Sequence, residues 1–326
     1  MRAIVLGDDG PRFVEDHPEP TPGEGEALVH LVQAGICDTD LELSKGYAGF
    51  RGVLGHEFIG QVDAADPVLG GRRVVAAINI GCGDCPRCDA GDPGHCARRQ
   101  SLGIRDRDGV FAERVAIPRA RLVPLPVGLP DDLAVFAEPL AAALHVLDEF
   151  DPAQHDPNTP VAVLGDGKLG LLIAMSLAAA GLKVRSVGHH RSKLALAAAA
   201  GVETVLESEL DSGWTRAHDL VVEATGHPSG LARALSLCAP RGTVVLKSTT
   251  HAPITLDLAA VVVHELRVVG SRCGDMQRAV DLLAEGTLDL RPLIAARYPL
   301  EAGLEALARA ASRGTLKVLL TGPPRP

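Results

Sequence analysis

The 326 residues exceed one ordinary domain of roughly 100–200 residues and suit two, each with its own core. A hydrophobic share of 46% beside 22% charged residues marks a folding, globular chain rather than a disordered one. A net charge of −9 without any block of Lys or Arg excludes a phosphate-backbone binder, so no nucleic-acid partner is expected.

The opening MRAIVLGDDG lacks a basic region followed by a long apolar stretch, and the most apolar run, Leu169–Leu182, is too short and too rich in Gly and Ala to span a bilayer. A cytoplasmic protein without a membrane partner is the expectation. The first 117 residues read as short strands broken by Gly and Pro: RAIVL, EALVHLVQAG, GHEFIGQVDAA, RRVVAAINI and VFAERVAI, in an alternation suited to an antiparallel, partly wet sheet. Cys37 falls here in AGICDTD, and His56 and Glu57 in GHE. The loop GCGDCPRCDAGDPGHC then spaces Cys82, Cys85, Cys88 and Cys96 as C-x2-C-x2-C-x7-C. Without a secretory signal, such cysteines argue for metal ligation over disulfides. Four thiolates in a Gly-, Pro- and Asp-rich loop suit one tetrahedral zinc with no position left for substrate, an iron–sulfur cluster being the competing metal. His95, beside the last cysteine, reads as a spectator.

A Pro-punctuated passage, Ile117–Pro130, leads into a helix predicted over Asp131–Phe150, which carries Glu138 in FAEPLAAALH, and DPAQHDPNTP reads as a linker. One thiolate, one imidazole and one or two carboxylates, from Cys37, His56, Glu57 and Glu138, would make an open zinc site whose fourth position takes water or substrate. From Val161 strands alternate with helices, the pattern of a doubly wound parallel sheet. VAVLGDGKLGLLIAMSLAAAG sets Gly165, Gly167 and Gly170 in the G-x-G-x-x-G spacing between an apolar strand and a helix that Lys168 and Leu169 open. The first glycine permits the tight turn, the second lets a pyrophosphate approach the backbone, and the third allows close helix–strand packing. The second strand, KVRSVG, ends on Gly188 and runs into His189, His190 and Arg191, with no carboxylate for the adenosine ribose. Room for a 2′-phosphate and a nearby guanidinium favour NADP over NAD, an ordinary solvated loop being the alternative. Thr225, in DLVVEATG, is a further candidate cofactor contact. Lys247, in VVLKSTT, ends a strand where such sheets present ligand-binding groups. His145 and Cys238 are expected to pack from their helices. The last thirty residues return to RYPL, a helix over Leu300–Ser312 and a strand, TLKVLLTG, expected to rejoin the first domain.

In this order GICDTD, GHEFIG, the four-cysteine loop, AEPLAAALH and GDGKLG resemble the zinc-dependent medium-chain dehydrogenase/reductase superfamily, the alcohol and polyol dehydrogenases, over nearly the whole chain. The resemblance implies an α/β protein with a GroES-like, mostly-β catalytic domain over residues 1–148 and 291–326, a zinc lobe at about 81–97, a Rossmann domain over 149–290, and a homodimer or homotetramer. It implies two zinc ions per chain. Cys37, His56 and Glu138 would hold the catalytic ion, with Glu57 as an alternating ligand or a holder of the zinc water, and the four cysteines would hold the structural one. Thr39 matches the hydroxyl that passes the substrate proton, Asp40 a supporting residue, and Lys317 the basic residue that reaches the cofactor pyrophosphate. Glu138, where the familiar alcohol dehydrogenases carry cysteine, is similar to sorbitol, threonine and sugar dehydrogenases and implies a polyhydroxy alcohol or its carbonyl as the small-molecule substrate. Two positions depart from the pattern: Asp38 replaces the usual glycine, and Glu42 replaces the histidine of the proton relay, so the relay is expected to run through Glu42 or solvent. A zinc-independent NADPH reductase of quinones or enoyl compounds, and a non-catalytic NADPH-binding protein with one structural zinc, are the rival readings.

Overall fold

The computed structural model describes residues 1–150, 156–249, 253–256 and 258–324. Along the first part of the chain run β1 (Ala3–Gly7), β2 (Gly10–Val14), β3 (Glu26–Ile36), α1 (Asp38–Ser44), β4 (Gly52–Val53), β5 (Glu57–Val62), β6 (Arg73–Ala76), β7 (Asn79–Ile80), α2 (Pro86–Asp89), β8 (Gln100–Ser101), β9 (Arg114–Pro118) and β10 (Leu122–Pro124). Two helices follow, α3 (Asp131–Ala134) and α4 (Ala137–Leu144), where one continuous helix over Asp131–Phe150 was expected. Pro139 explains the break: its ring and missing N–H are tolerated in the first turn of a helix and not in the interior. The expected linker lies, over residues 151–155, outside the described residues.

The alternation then begins: β11 (Val161–Leu164), α5 (Lys168–Ala179), β12 (Val184–Gly188), α6 (Arg191–Ala199), β13 (Glu203–Leu206), β14 (His218–Glu223), α7 (Gly230–Leu237), β15 (Cys238–Leu246), α8 (Ala259–Val263) and β16 (Arg267–Gly270). The chain finishes with α9 (Met276–Ala284), β17 (Ile294–Pro299), α10 (Gly303–Ala311) and β18 (Lys317–Thr321). Cys238 opens a strand instead of lying on a helix, and is fully buried.

The chain forms two compact units: residues 1–138, 276–285 and 289–326, and residues 139–275 with 286–288. The division falls at Glu138 and Pro139, inside α4, rather than at 148, and α9 joins the first unit, where it packs on α3. In the first unit the main sheet runs β10-β6-β5-β3-β18-β17 with β9 also on β3, antiparallel except for the β17–β18 pair. β18 pairs with β3 from Val318 on Ile36 to Thr321 on Gln33, so the C-terminal strand does return to the N-terminal sheet. Along β3 buried and half-buried residues alternate up to Val32, after which Gln33 to Ile36 are all buried. The strand thereby delivers Cys37 from the wet part of the sheet into the interior, where Phe111 and Ile36 are fully enclosed.

In the second unit the six strands are all parallel, in the order β13-β12-β11-β14-β15-β16. This is the doubly wound order, in which ligands bind beyond the carboxyl ends of the strands where the order reverses, here between β11 and β14. β11, covered on both faces, is apolar and buried at every position, as a central parallel strand must be.

Candidate metal and cofactor sites

The four sulfurs of Cys82, Cys85, Cys88 and Cys96 lie within 4.8 Å of one another. Cys85 caps α2, and Cys96 follows the single turn Pro93–His95, so two short turns fold one stretch of chain back on itself. Sulfur–sulfur separations of 3.5 Å (Cys96–Cys82), 3.7 Å (Cys85–Cys96) and 4.0 Å (Cys82–Cys88) are far longer than a disulfide bond. They match the edge of roughly 3.8 Å of a tetrahedron with metal–sulfur bonds near 2.3 Å. The donor set fits zinc. A backbone hydrogen bond at Cys82 outweighs burial and lowers the Cys96 thiol to about 7, towards the thiolate a metal binds. His95 turns its Nδ1 to Asp92 at 2.7 Å and stays on the surface.

A second cluster forms where the end of β3 meets the start of β5. Cys37 precedes α1, His56 precedes β5, and Glu57 begins it; their ligand atoms also lie within 4.8 Å of one another. Asp40, fully buried, supports two of them: one carboxylate oxygen accepts the Cys37 N–H at 2.8 Å, and the other lies 3.3 Å from His56 Nδ1. Neither atom of that last pair has a partner of good hydrogen-bond geometry. Burial lowers the His56 pKa, but the Asp40 carboxylate and Cys37 more than offset it, and the net shift is upward. A carboxylate behind an imidazole that faces a thiol is the arrangement that orients a metal-ligating histidine, so this donor set fits zinc as well. Lys317, on β18 and 4% exposed, pairs its ammonium with Glu57 Oε2. Burial pushes the Lys317 pKa down, and the charges of Glu57 and Cys37 bring it above the ordinary value. Gly35 makes room for this pair: a Cβ there would stand 2.4 Å from Glu57 Oε2 and 3.3 Å from Lys317 Cδ.

Among the residues expected at the catalytic centre, Thr39 places Oγ1 3.7 Å from Cys37 Sγ. Glu138 stands in the first turn of α4, and the carboxylate that converges on Cys37 and His56 is that of Glu57. Glu42 pairs with Lys45 at 2.7 Å on the exposed side of α1 and does not join the cluster, because a spacing of three along a helix brings those two side chains together. The ammonium of Lys317, expected on the cofactor pyrophosphate, is held by Glu57.

In the second unit the three glycines of the turn have different surroundings. Gly165 has φ +113°, a left-handed conformation, and a Cβ there would lie 2.4 Å from the Ala224 carbonyl oxygen. At Gly170 a Cβ would lie 2.0 Å from the Gly165 oxygen, whereas at Gly167, which caps α5, it would meet nothing within 4 Å. An open backbone cradle at the start of a twelve-residue helix fits a dinucleotide pyrophosphate, with Lys168 and Leu169 forming the first helical positions. Thr225 lies beside the turn and donates through N–H and Oγ1 to Glu223 Oε1, at 2.8 and 2.6 Å. Lys247 is a structural staple: its ammonium donates to the carbonyl oxygens of Ala142 and Arg272 and to Ser271.

The loop after β12 corrects one premise of the sequence reading. A carboxylate is present there, supplied by Asp166 from between the first two glycines. Its Oδ2 accepts the backbone N–H groups of His189 and His190 at 2.9 and 2.7 Å and lies 2.9 Å from His190 Nδ1. His189 Nε2 pairs with Glu207 at 3.0 Å, and Arg191 pairs with Glu209. Gly188 makes room for the carboxylate, since a Cβ at 188 would lie 2.5 Å from the Asp166 Cβ, a fit that no local sequence pattern signals.

Residues 23–127 match the family described as Alcohol dehydrogenase GroES-like domain, and residues 169–285 that described as Zinc-binding dehydrogenase. The chain is 31% identical to an L-threonine 3-dehydrogenase of Bacillus licheniformis, covering 92% of this chain and 93% of that one. It is 31% identical to the galactitol 1-phosphate 5-dehydrogenase of Escherichia coli K12, covering 98% and 99%. A solved structure from Sinorhizobium meliloti 1021, described as a zinc-binding dehydrogenase and bound to NADP, superposes with a TM-score of 0.86 at 31% identity over 98% of each chain. Among the described residues no helix is long and apolar enough to cross a membrane.

Proposed function

We propose that this chain, which belongs to the zinc-dependent medium-chain dehydrogenase superfamily, oxidises a secondary alcohol of a polyhydroxy or otherwise polar small molecule, or reduces the matching carbonyl, with a nicotinamide dinucleotide. The observation that carries the reading is the convergence of Cys37, His56 and Glu57 behind Asp40 and Lys317. Neither rival accounts for it, because a reductase without a catalytic metal and a protein with only a structural zinc have no use for a second, charge-supported donor set. Relatives named for threonine and galactitol 1-phosphate, and the carboxylate at Glu138, support a polar alcohol over a simple one.

Cys37 and His56, with Glu57 or Glu138, would hold the ion, which when bound would supply Lewis acidity that lowers the pKa of an alcohol hydroxyl. The protein's own groups do the rest. Asp40 holds the Cys37 backbone and faces the His56 ring, so the spacing of the two donors is set by the protein itself. Thr39, next to the sulfur, is positioned to hand the hydroxyl proton on, and with Glu42 turned to Lys45 the onward path runs to solvent. Lys317 balances the buried charge of Glu57 and holds that carboxylate beside Cys37 and His56. The open backbone at Gly167 and the start of α5 would hold the pyrophosphate of the hydride carrier.

The edge strand β16, with Val268 half-exposed and Val262 and Val263 of α8 about three-quarters exposed, is the surface on which a second copy would extend the sheet into a homodimer or homotetramer. We place the protein in the cytoplasm. The test is metal content per chain together with turnover of sugars, polyols, hydroxy amino acids and simple alcohols with either dinucleotide. Two zinc ions and oxidation of a polar secondary alcohol are expected. One zinc, or turnover unchanged after metal removal, overturns the catalytic centre; activity confined to simple alcohols overturns the substrate class.

A further inference from the structure

We infer that Asp166 makes this chain select NAD(H) over NADP(H), reversing the preference that the basic loop His189–Arg191 suggests; the inference rests on the dehydrogenase reading.

In a doubly wound sheet the adenosine ribose lies at the carboxyl end of the second strand, here β12, and the group standing there chooses between a 2′-hydroxyl and a 2′-phosphate. Usually that group comes from the strand end itself. Here the strand ends on Gly188, whose missing side chain leaves the space that the Asp166 side chain fills from the glycine turn. The carboxylate is 7% exposed. It takes up the two backbone N–H groups, of His189 and His190, that a 2′-phosphate would need, and it engages the His190 ring as well. Burial would raise its pKa, but the His190 ring and backbone outweigh that and lower it, so the group is anionic at neutral pH. A phosphate brought to this loop meets a fixed negative charge and finds its donors already used. A ribose hydroxyl is a donor, and a carboxylate with a second oxygen is the acceptor it needs.

The basic side chains do not reverse this. Arg191 is paired with Glu209, and His189 with Glu207, which also holds Arg233. A phosphate would have to take cations from carboxylates that themselves add to the negative field of the loop. The bound NADP of the Sinorhizobium structure shows that the fold itself does not exclude a 2′-phosphate, so its exclusion here would be a property of the loop this chain carries.

The test is calorimetric titration of the full-length protein with NADH, NADPH, ADP-ribose and 2′-phospho-ADP-ribose, the last two lacking the nicotinamide and reading the adenosine end alone. The wild type is expected to bind each 2′-hydroxyl ligand about tenfold to a hundredfold more tightly than its phosphorylated counterpart. Asp166→Asn keeps an oxygen for the backbone N–H groups and removes the charge; it should shrink that ratio by about tenfold or more, chiefly by strengthening the phosphorylated ligands. Arg191→Ala, on the surface and safe for folding, should leave the ratio unchanged. Tighter NADPH binding by the wild type overturns the inference, as does a tenfold loss of NADPH affinity in Arg191→Ala or an unchanged ratio in a folded Asp166→Asn. Failure of all four ligands to bind overturns the dehydrogenase reading itself, whereas equal binding of the two dinucleotides overturns only the assignment of Asp166.

Discussion

The two sulfur-bearing centres of the first unit are assembled in opposite ways. The four-cysteine lobe takes all its donors from residues 82–96, and the charged pairs beside it among the described residues, Asp84–Arg98 and Asp92–His95, face solvent. The other centre gathers Cys37 from the end of β3 and the adjacent His56 and Glu57 from the start of β5, and backs them with buried charges, including Lys317, 260 positions from its partner Glu57. A closed centre that never exchanges a ligand needs only its donors. One that must release and rebind a ligand needs neighbours that keep the donors in place while coordination changes.

That contrast is broken most sharply by removing one sulfur from each centre. Cys37→Ala should lower turnover by about a thousandfold or more and leave one zinc per chain, with little change in melting temperature. Cys88→Ala should also leave one zinc, but its main effect should be on stability, because a structural ion contributes its binding energy to folding. Activity assays, metal analysis and thermal melts on both proteins decide the matter. Equal losses of activity and stability in the two variants would erase the distinction between an open and a closed centre.

Next in size is the buried pair behind the open centre. Lys317→Met leaves Glu57 uncompensated in the interior and should destabilise the first unit by about 3–5 kcal/mol in urea unfolding. Adding Glu57→Gln should return most of that loss, since the unpaired charge is then gone. If the single variant unfolds like the wild type, Lys317 is not balancing a buried carboxylate.

The same contrast explains what could be seen in the sequence. The lobe was legible because its chemistry is local: four cysteines at fixed spacing in a turn-rich loop leave few other arrangements. The dinucleotide turn was legible for the same reason, strand, glycines and helix being contiguous, and the parallel sheet followed from the alternation after Val161. Partners separated along the chain were not. Lys317 meets Glu57 because β18 and β5 flank β3, a register that no local pattern encodes. Asp166 reaches the end of β12 because β11 and β12 are neighbours, which turns a residue of the phosphate turn into one of the ribose loop. Glu42 illustrates a complementary limit: its alignment with a relay residue was legible, but its pairing with Lys45 is set by side-chain reach on an exposed helix face.

The smallest effect, and the most selective, belongs to Asp40. It contributes no atom to the converging donors, yet it touches two of them, the Cys37 backbone and the His56 ring. In Asp40→Asn one oxygen can still accept the Cys37 N–H, while an amide faces His56 Nδ1 in place of a carboxylate. The ring then loses the partner that favours a proton on Nδ1 and frees the other nitrogen for a metal. Zinc affinity at the open centre should fall by about 10–100-fold, with activity restored by added zinc and the ion of the lobe unaffected. Competition with a chelator, read separately for the two ions, measures this. If the variant loses stability but binds both ions as before, Asp40 is a packing residue and the open centre holds its donors without it.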